Sequence, residues 1–221
     1  MKPSFRMHWS LIAMLALGGL AHGHAAHDHA DHTPPAVRDA EQVQVRFIDV
    51  PLVDQHGQQR NLERDLIADK IVVLGLIYTS CTTVCPVVSS IMARTQKQLG
   101  GRVGQDVQLL SITVDPLRDT PQRLLEYARQ YQSGQGWSWL TGTPQAIEQT
   151  LKGLGSAPGR LEDHPPLILV GDGRSGRWTR FYGFADPEQL LARIHTYDLA
   201  REHAARRFSP IVHDHHARVT P

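Results

Sequence analysis

Cysteine is scarce in this chain: its 221 residues hold only Cys81 and Cys85. The two are close enough in sequence to form one dithiol site, which binds a soft metal ion, exchanges electrons, or does both. A surplus of one charge is also lacking. The formal net charge is +1, which gives no global electrostatic case for nucleic acid or an anionic membrane as partner. Long apolar runs are missing near the N-terminus, where Trp9 to Leu20 falls short of the ~20 residues that a bilayer span needs. No cysteine lies near that run, so a lipoprotein anchor is not expected.

The N-terminal run has the parts of a secretory signal. Lys2 and Arg6 precede it, and the small residues Ala21, Gly23, Ala25 and Ala26 follow it. Residues 1–25 therefore read as a signal peptide, with an uncleaved membrane anchor as the less favoured alternative. The expected location is exported and periplasmic, an oxidising setting where a cysteine pair can be disulfide-bonded when neither reduced nor metallated. The chain is 41% hydrophobic and 20% charged, ordinary for a domain with a buried core.

Histidine is what the chain has in excess. His22, His24, His27, His29 and His32 cluster at one end, and His213, His215 and His216 at the other. Such tracts bind Cu, Ni or Zn through imidazole, or are simply polar tails. Residues 26–42 read as a His-rich linker without fixed structure, 43–205 as the folded domain, and 206–221 as a His-containing tail.

Along the domain, Gln44–Val53 and Gln59–Leu62 around the turn Gln55–Gln58 suggest an N-terminal β-hairpin. The continuous apolar run Ile71–Tyr78 fits a strand buried on both faces. A helix follows over Cys85–Leu99, stopped by Gly100-Gly101. Val107–Val114 reads as a second buried strand. Thr120-Pro121 and Thr143-Pro144 each open a helix, with Thr as cap and Pro in the first turn. Trp137–Thr141, Leu167–Val170 and Arg177–Tyr182 read as strands, and Ala185–Ala205 as a last helix. This alternation implies an α/β fold with a central mixed sheet flanked by helices. A thioredoxin-like core has this order and puts its reactive pair after the first strand of its βαβ unit, where Cys81 and Cys85 stand.

Pro86 marks the first helical turn, so Cys85 is expected at a helix N-terminus, whose free N–H groups favour a thiolate. Two thiolates are soft ligands suited to Cu(I), and a trigonal site needs a third ligand, most often an imidazole. His164, in the loop before the strand at Leu167, is the candidate, with Asp163 to orient it or to face solvent. His56, His195 and His203 are expected to be solvated. Asp115 and Asp119 are expected to cap the helix at Thr120, with electrostatic tuning of the site as the alternative for Asp115.

These motifs occur together as Tyr78-Thr79-Ser80-Cys81 to Cys85-Pro86, Ser111-Ile112-Thr113-Val114-Asp115-Pro116-Leu117-Arg118-Asp119-Thr120-Pro121, Leu140-Thr141-Gly142-Thr143-Pro144, and Asp163-His164. From about Phe47 to Ile194 the chain resembles the Sco/SenC family of copper-binding, thioredoxin-like proteins. The resemblance implies that Cys81, Cys85 and His164 bind copper, as Cu(I) or Cu(II). It also implies copper delivery to, or cysteine reduction in, the binuclear copper centre of cytochrome c oxidase. A copper-accepting oxidase subunit and a thioredoxin-like reductant are the implied partners. The chain departs from the family pattern at Thr82, where Pro is frequent, and at Pro165-Pro166, either of which can be cis as in thioredoxin.

Two functions stay open on the sequence. One is a metallochaperone that holds copper through Cys81, Cys85 and His164. The other is an exported thiol–disulfide oxidoreductase that uses Cys81 and Cys85 catalytically. A peroxidase reading rests only on Thr82 standing three residues before Cys85, without a convincing Arg or Gln-Trp partner.

Overall fold

The computed structural model describes residues 40–156 and 166–208. Among these, strands β1 (Glu41–Val43), β2 (Pro51–Asp54), β3 (Gln59–Asn61), β4 (Ile71–Ile77), β5 (Val107–Thr113), β6 (Trp137–Thr141), β7 (Leu167–Asp172) and β8 (Arg177–Tyr182) join in one sheet. Its order is β1-β8-β7-β4-β5-β6-β2-β3. Helices α1 (Val84–Leu99), α2 (Pro121–Gln130), α3 (Pro144–Gly153) and α4 (Pro187–Phe208) pack on it.

The central strand β4 is buried at every residue, as its unbroken apolar run requires. It runs parallel to β5 and antiparallel to β7. Side chains alternate across the sheet with period two. Ile71, Val73 and Ile77 enter a core with Met92 of α1, Leu124 of α2 and Ile194 of α4. Val72, Leu74 and Leu76 enter the other, with Ile147 of α3 and with Leu62, Leu66 and Ile67, which form a helical turn after β3. Helix α1 sits so close to β4 that a Cβ on Gly75 would meet Met92 Sδ at 2.9 Å.

The two Thr-Pro helix starts form as the sequence suggests. Thr120 accepts from Arg123 N at 3.3 Å and Thr143 from Ala146 N at 3.1 Å. The N-terminal part differs. The β2–β3 hairpin exists and extends the sheet beyond β6, but residues 44–50 are not strand. Val45, Phe47 and Val50 still pack on the second core, while Arg46 N bonds Gly153 O at 2.9 Å instead of a neighbouring strand. At the far edge, Glu41 and Gln42 pair with β8, so the folded domain starts two residues ahead of the boundary at 43. The last helix runs Pro187–Phe208, past its expected end at Ala205.

Pairing directions bring four chain segments to one edge of the sheet. The carboxyl ends of β4, β5 and β8 lie there with the start of β7. The cysteine turn follows β4, and the Asp115–Thr120 loop follows β5. Among the described residues no helix is long and apolar enough to cross a membrane. The segments read from sequence as signal or anchor, linker (through residue 39) and tail (from 209) lie outside them.

Candidate metal and redox centre

Cys81 and Cys85 flank the start of α1, both are buried, and neither is in a disulfide. The local chain explains their arrangement. Cys81 N donates to Tyr78 O at 3.1 Å, closing a tight turn directly after β4. Thr83 stands at the N-cap of α1, but its side chain makes no cap hydrogen bond. The cap is supplied by sulfur: Cys85 N donates to Cys81 Sγ at 3.3 Å. Thr83 Oγ1 lies 3.9 Å from the same sulfur. The free N–H groups of the helix start thus converge on Cys81, not on Cys85. That corrects the expectation that Cys85 carries the stabilised thiolate.

The two thiols are consequently unequal. Burial opposes ionisation of Cys81, but hydrogen bonds from the Cys85 thiol, the Cys85 and Thr83 backbone and the Tyr78 hydroxyl outweigh it. They bring Cys81 down from 9.0 to about 7. Burial pushes Cys85 up to about 12, helped by its hydrogen bond to Cys81 and by the charges of Cys81 and Asp119, against one backbone hydrogen bond from Tyr78. Above pH about 7 the pair shares one proton: Cys85 donates and Cys81 accepts.

A pH dependence of stability follows. Between pH about 7 and 9 the unfolded chain keeps both thiol protons while the native protein has lost that of Cys81. Stability of the reduced protein should therefore rise across this window. Above pH 9 the unfolded chain loses both protons and the native protein still holds that of Cys85, so the trend reverses. Thermal melts of reduced protein against Cys81→Ser would show this. A Cys81→Ser profile parallel to that of the unsubstituted protein from pH 6 to 9 would contradict it.

Asp119 is fully buried and does not cap α2, whose cap is Thr120. Its Oδ2 accepts from Thr79 N at 3.0 Å and from Thr113 Oγ1 at 2.6 Å, and its Oδ1 accepts from Thr79 Oγ1 at 2.5 Å. Asp115 is not a cap either. Its backbone O accepts from Arg118 N and Asp119 N, and its Oδ2 takes Arg118 Nη1 at 3.1 Å. Sequence reasoning missed the role of Asp119 because its partner Thr79 lies 40 residues away.

Beside Cys85 a small, mostly apolar cavity of about 10 Å³ is lined by Tyr78, Val84, Val88, Val114 and Pro166 among others. That volume is about one water-sized probe. Among the described residues no third His, Cys, Asp or Glu joins the two cysteines as a metal cluster. His164, Asp163 and Pro165 lie outside the described residues, as do the histidines of both tails. His56, His195 and His203 are exposed, as expected. Thr82 is exposed and the Cys85 thiol is driven up to about 12, the opposite of what a peroxide-reducing thiolate needs.

A mixed sheet with a capped dithiol turn at the start of its first crossover helix defines a thioredoxin-like dithiol protein. The chain belongs to the SCO1/SenC family, whose model matches residues 37–197. A candidate copper-binding protein of Stutzerimonas stutzeri is 36% identical over 104 residues, covering 47% of this chain and 49% of that protein. The chain spans about half the length of the curated relatives it matches at this level. The structure of copper-bound ScoI from Bradyrhizobium japonicum superposes with a TM-score of 0.57 at 25% identity, over 69% of this chain and 99% of that one. BsSco, a member of the Sco family of cytochrome c oxidase assembly proteins in which a disulfide switch was identified, gives 0.60 at 23% identity, over 72% and 96%.

Proposed function

We propose that the protein is an exported copper chaperone that holds copper through Cys81, Cys85 and His164 and passes it to the copper centre of cytochrome c oxidase. The observation that carries this is the capped dithiol: two free cysteines in one turn, with Cys85 N donating to Cys81 Sγ at 3.3 Å and the Cys81 thiol brought down to about 7. Copper is the cargo. Two soft sulfurs suit Cu(I), and loading displaces the proton that Cys85 holds.

The third ligand is argued from sequence position. Pro166 borders the cavity beside Cys85, and His164 precedes it by two residues, a reach of at most ~7 Å of chain. The names of relatives agree in kind: one is a candidate copper-binding protein, one structure holds copper, and one belongs to an oxidase assembly family. The export reading rests on Lys2, Arg6 and the apolar run after them.

The inequality of the thiols also favours a second reading, thiol–disulfide exchange. The Cys81 thiolate would attack a partner disulfide and release one partner thiolate. Cys85, giving up its proton, would then attack Cys81 Sγ and release the second, leaving a Cys81–Cys85 disulfide and a reduced partner.

Copper titration separates the two. The chaperone reading expects one copper per reduced chain at the core site, lost in Cys81→Ser, Cys85→Ser and His164→Ala alike. The exchange reading expects His164→Ala to leave disulfide exchange intact. Copper that survives all three substitutions together, and is lost only when the His-rich ends are trimmed, would overturn the core site.

A further inference from the structure

The Asp119 carboxylate faces the cysteine turn from the neighbouring strand connection. It is fully buried, yet its donors come from outside its own loop: Thr79 supplies both its backbone N–H and its hydroxyl, and Thr113, at the end of β5, supplies a third. A buried carboxylate held by three donors is worth far more than a surface one, because none of its partners can be replaced by water without cost. Thr113 Oγ1 in turn accepts Asp115 N at 3.0 Å, which aims its hydroxyl proton at Asp119. The carboxylate thereby fixes both ends of the linkage.

Thr79 is two residues before Cys81, inside the turn closed by Cys81 N to Tyr78 O. Its two hydrogen bonds to Asp119 hold that turn against the β5–α2 connection. The Cys81 sulfur can cap α1 only if the turn stays where it is, because one displacement breaks both the cap and the thiol–thiol contact. Thr79 is only half-buried and would otherwise be free to move with the turn.

We propose that Asp119 is a positioning residue for the dithiol, clamping Thr79 so that the Cys81 and Cys85 sulfurs stay aligned for a ligand. The proposal rests on the copper reading for its ligand but not for its geometry.

The test compares Asp119→Asn, Thr79→Val and Thr79→Ser. Asparagine keeps the shape but turns a donor toward a donor. Valine keeps the branched shape and loses the hydroxyl, and serine restores it. Two readouts are taken on each full-length variant after thermal melting has confirmed folding. Cu(I) affinity, measured by competition with a chromophoric chelator, should fall about 10–100-fold in Asp119→Asn and Thr79→Val, the usual loss when a group that orients a ligand is removed. Thr79→Ser should stay within about 3-fold of the unsubstituted protein. The second readout needs no metal. The ratio of Cys81 to Cys85 alkylation in reduced protein should drop in the first two variants and recover in Thr79→Ser. If the unsubstituted protein binds no Cu(I), the chaperone reading fails and the alkylation ratio alone decides the clamp. If Asp119→Asn does not fold, the valine–serine pair at Thr79 decides it. Folded Asp119→Asn and Thr79→Val proteins with unchanged affinity and unchanged alkylation ratio would overturn the proposal.

Discussion

At pH 7, limiting iodoacetamide is expected to modify reduced protein at Cys81 and to leave Cys85 free. The thiolate is the reactive form, and the two thiols ionise near 7 and near 12. About half of Cys81 is then ionised, against about one part in 10⁵ of Cys85. The more acidic thiolate is the weaker nucleophile. With a Brønsted slope of about 0.4–0.5, that difference returns roughly 10²–10²·⁵ of the advantage. A preference of at least ~10²-fold for Cys81 remains. Its rate should climb through pH about 7 and level off, whereas Cys85 should still be accelerating at pH 10. Peptide mapping after a short pulse reads the ratio. Equal labelling, or faster labelling of Cys85, would mean that the helix start does not serve Cys81. The same asymmetry bears on both functional readings. A copper site needs both sulfurs deprotonated, so above pH about 7 the metal must compete mainly for the Cys85 proton. An exchange reaction needs one attacking and one waiting thiol, and the two ionisations fit Cys81 to the first role and Cys85 to the second.

The order of the elements was readable because several signals agreed. Ile71–Ile77 is an unbroken apolar run rich in branched residues, as strands covered on both faces use, and Val107–Thr113 is mostly apolar, with Gln108, Ser111 and Thr113 between its buried aliphatic residues. Thr120-Pro121 and Thr143-Pro144 combine a cap with a residue already set for the first helical turn. The dithiol was readable for a different reason: no other cysteine competes for either partner. What sequence did not show is how the turn distributes its hydrogen bonds. Pro86 correctly announced a helix start, but the residue that receives the free N–H groups is the one before the helix, and only the folded turn decides that. Asp119 shows the same limit at longer range. Its sequence position suits a helix cap, and a local rule assigns it one, yet the neighbouring Thr120 takes the cap and frees the carboxylate for Thr79. The edge strand β1 escaped because Glu41, Gln42 and Val43 show no alternation; pairing with β8 makes it a strand.

Arg201→Ala is expected to destabilise the protein by about 3–5 kcal/mol, the range for removing one partner of a buried ion pair. Arg201 on α4 bonds Asp172 Oδ1 through Nε at 2.9 Å and Nη2 at 2.5 Å. Asp172, at the end of β7, is 1% exposed. Burial raises its pKa, but Arg201, the Ser175 hydroxyl and Arg174 N together hold it below the usual carboxylate value. In the variant the carboxylate keeps only the two local donors, Ser175 Oγ at 2.7 Å and Arg174 N at 3.1 Å. The direction with pH follows. A carboxylate with a depressed native pKa stabilises the fold above its unfolded pKa and loses that contribution as pH falls through the native one. Acidification should therefore narrow the gap between the two proteins, because a protonated Asp172 no longer needs the guanidinium. Arg206→Ala removes an exposed partner of Glu202 and should cost no more than about 0.5 kcal/mol. Urea unfolding at neutral and acid pH compares them, and losses within 1 kcal/mol of each other would refute the buried-pair account. Copper binding by folded Arg201→Ala protein should persist, since α4 meets the dithiol only through the apolar core while Asp119 holds the cysteine turn from the opposite strand connection.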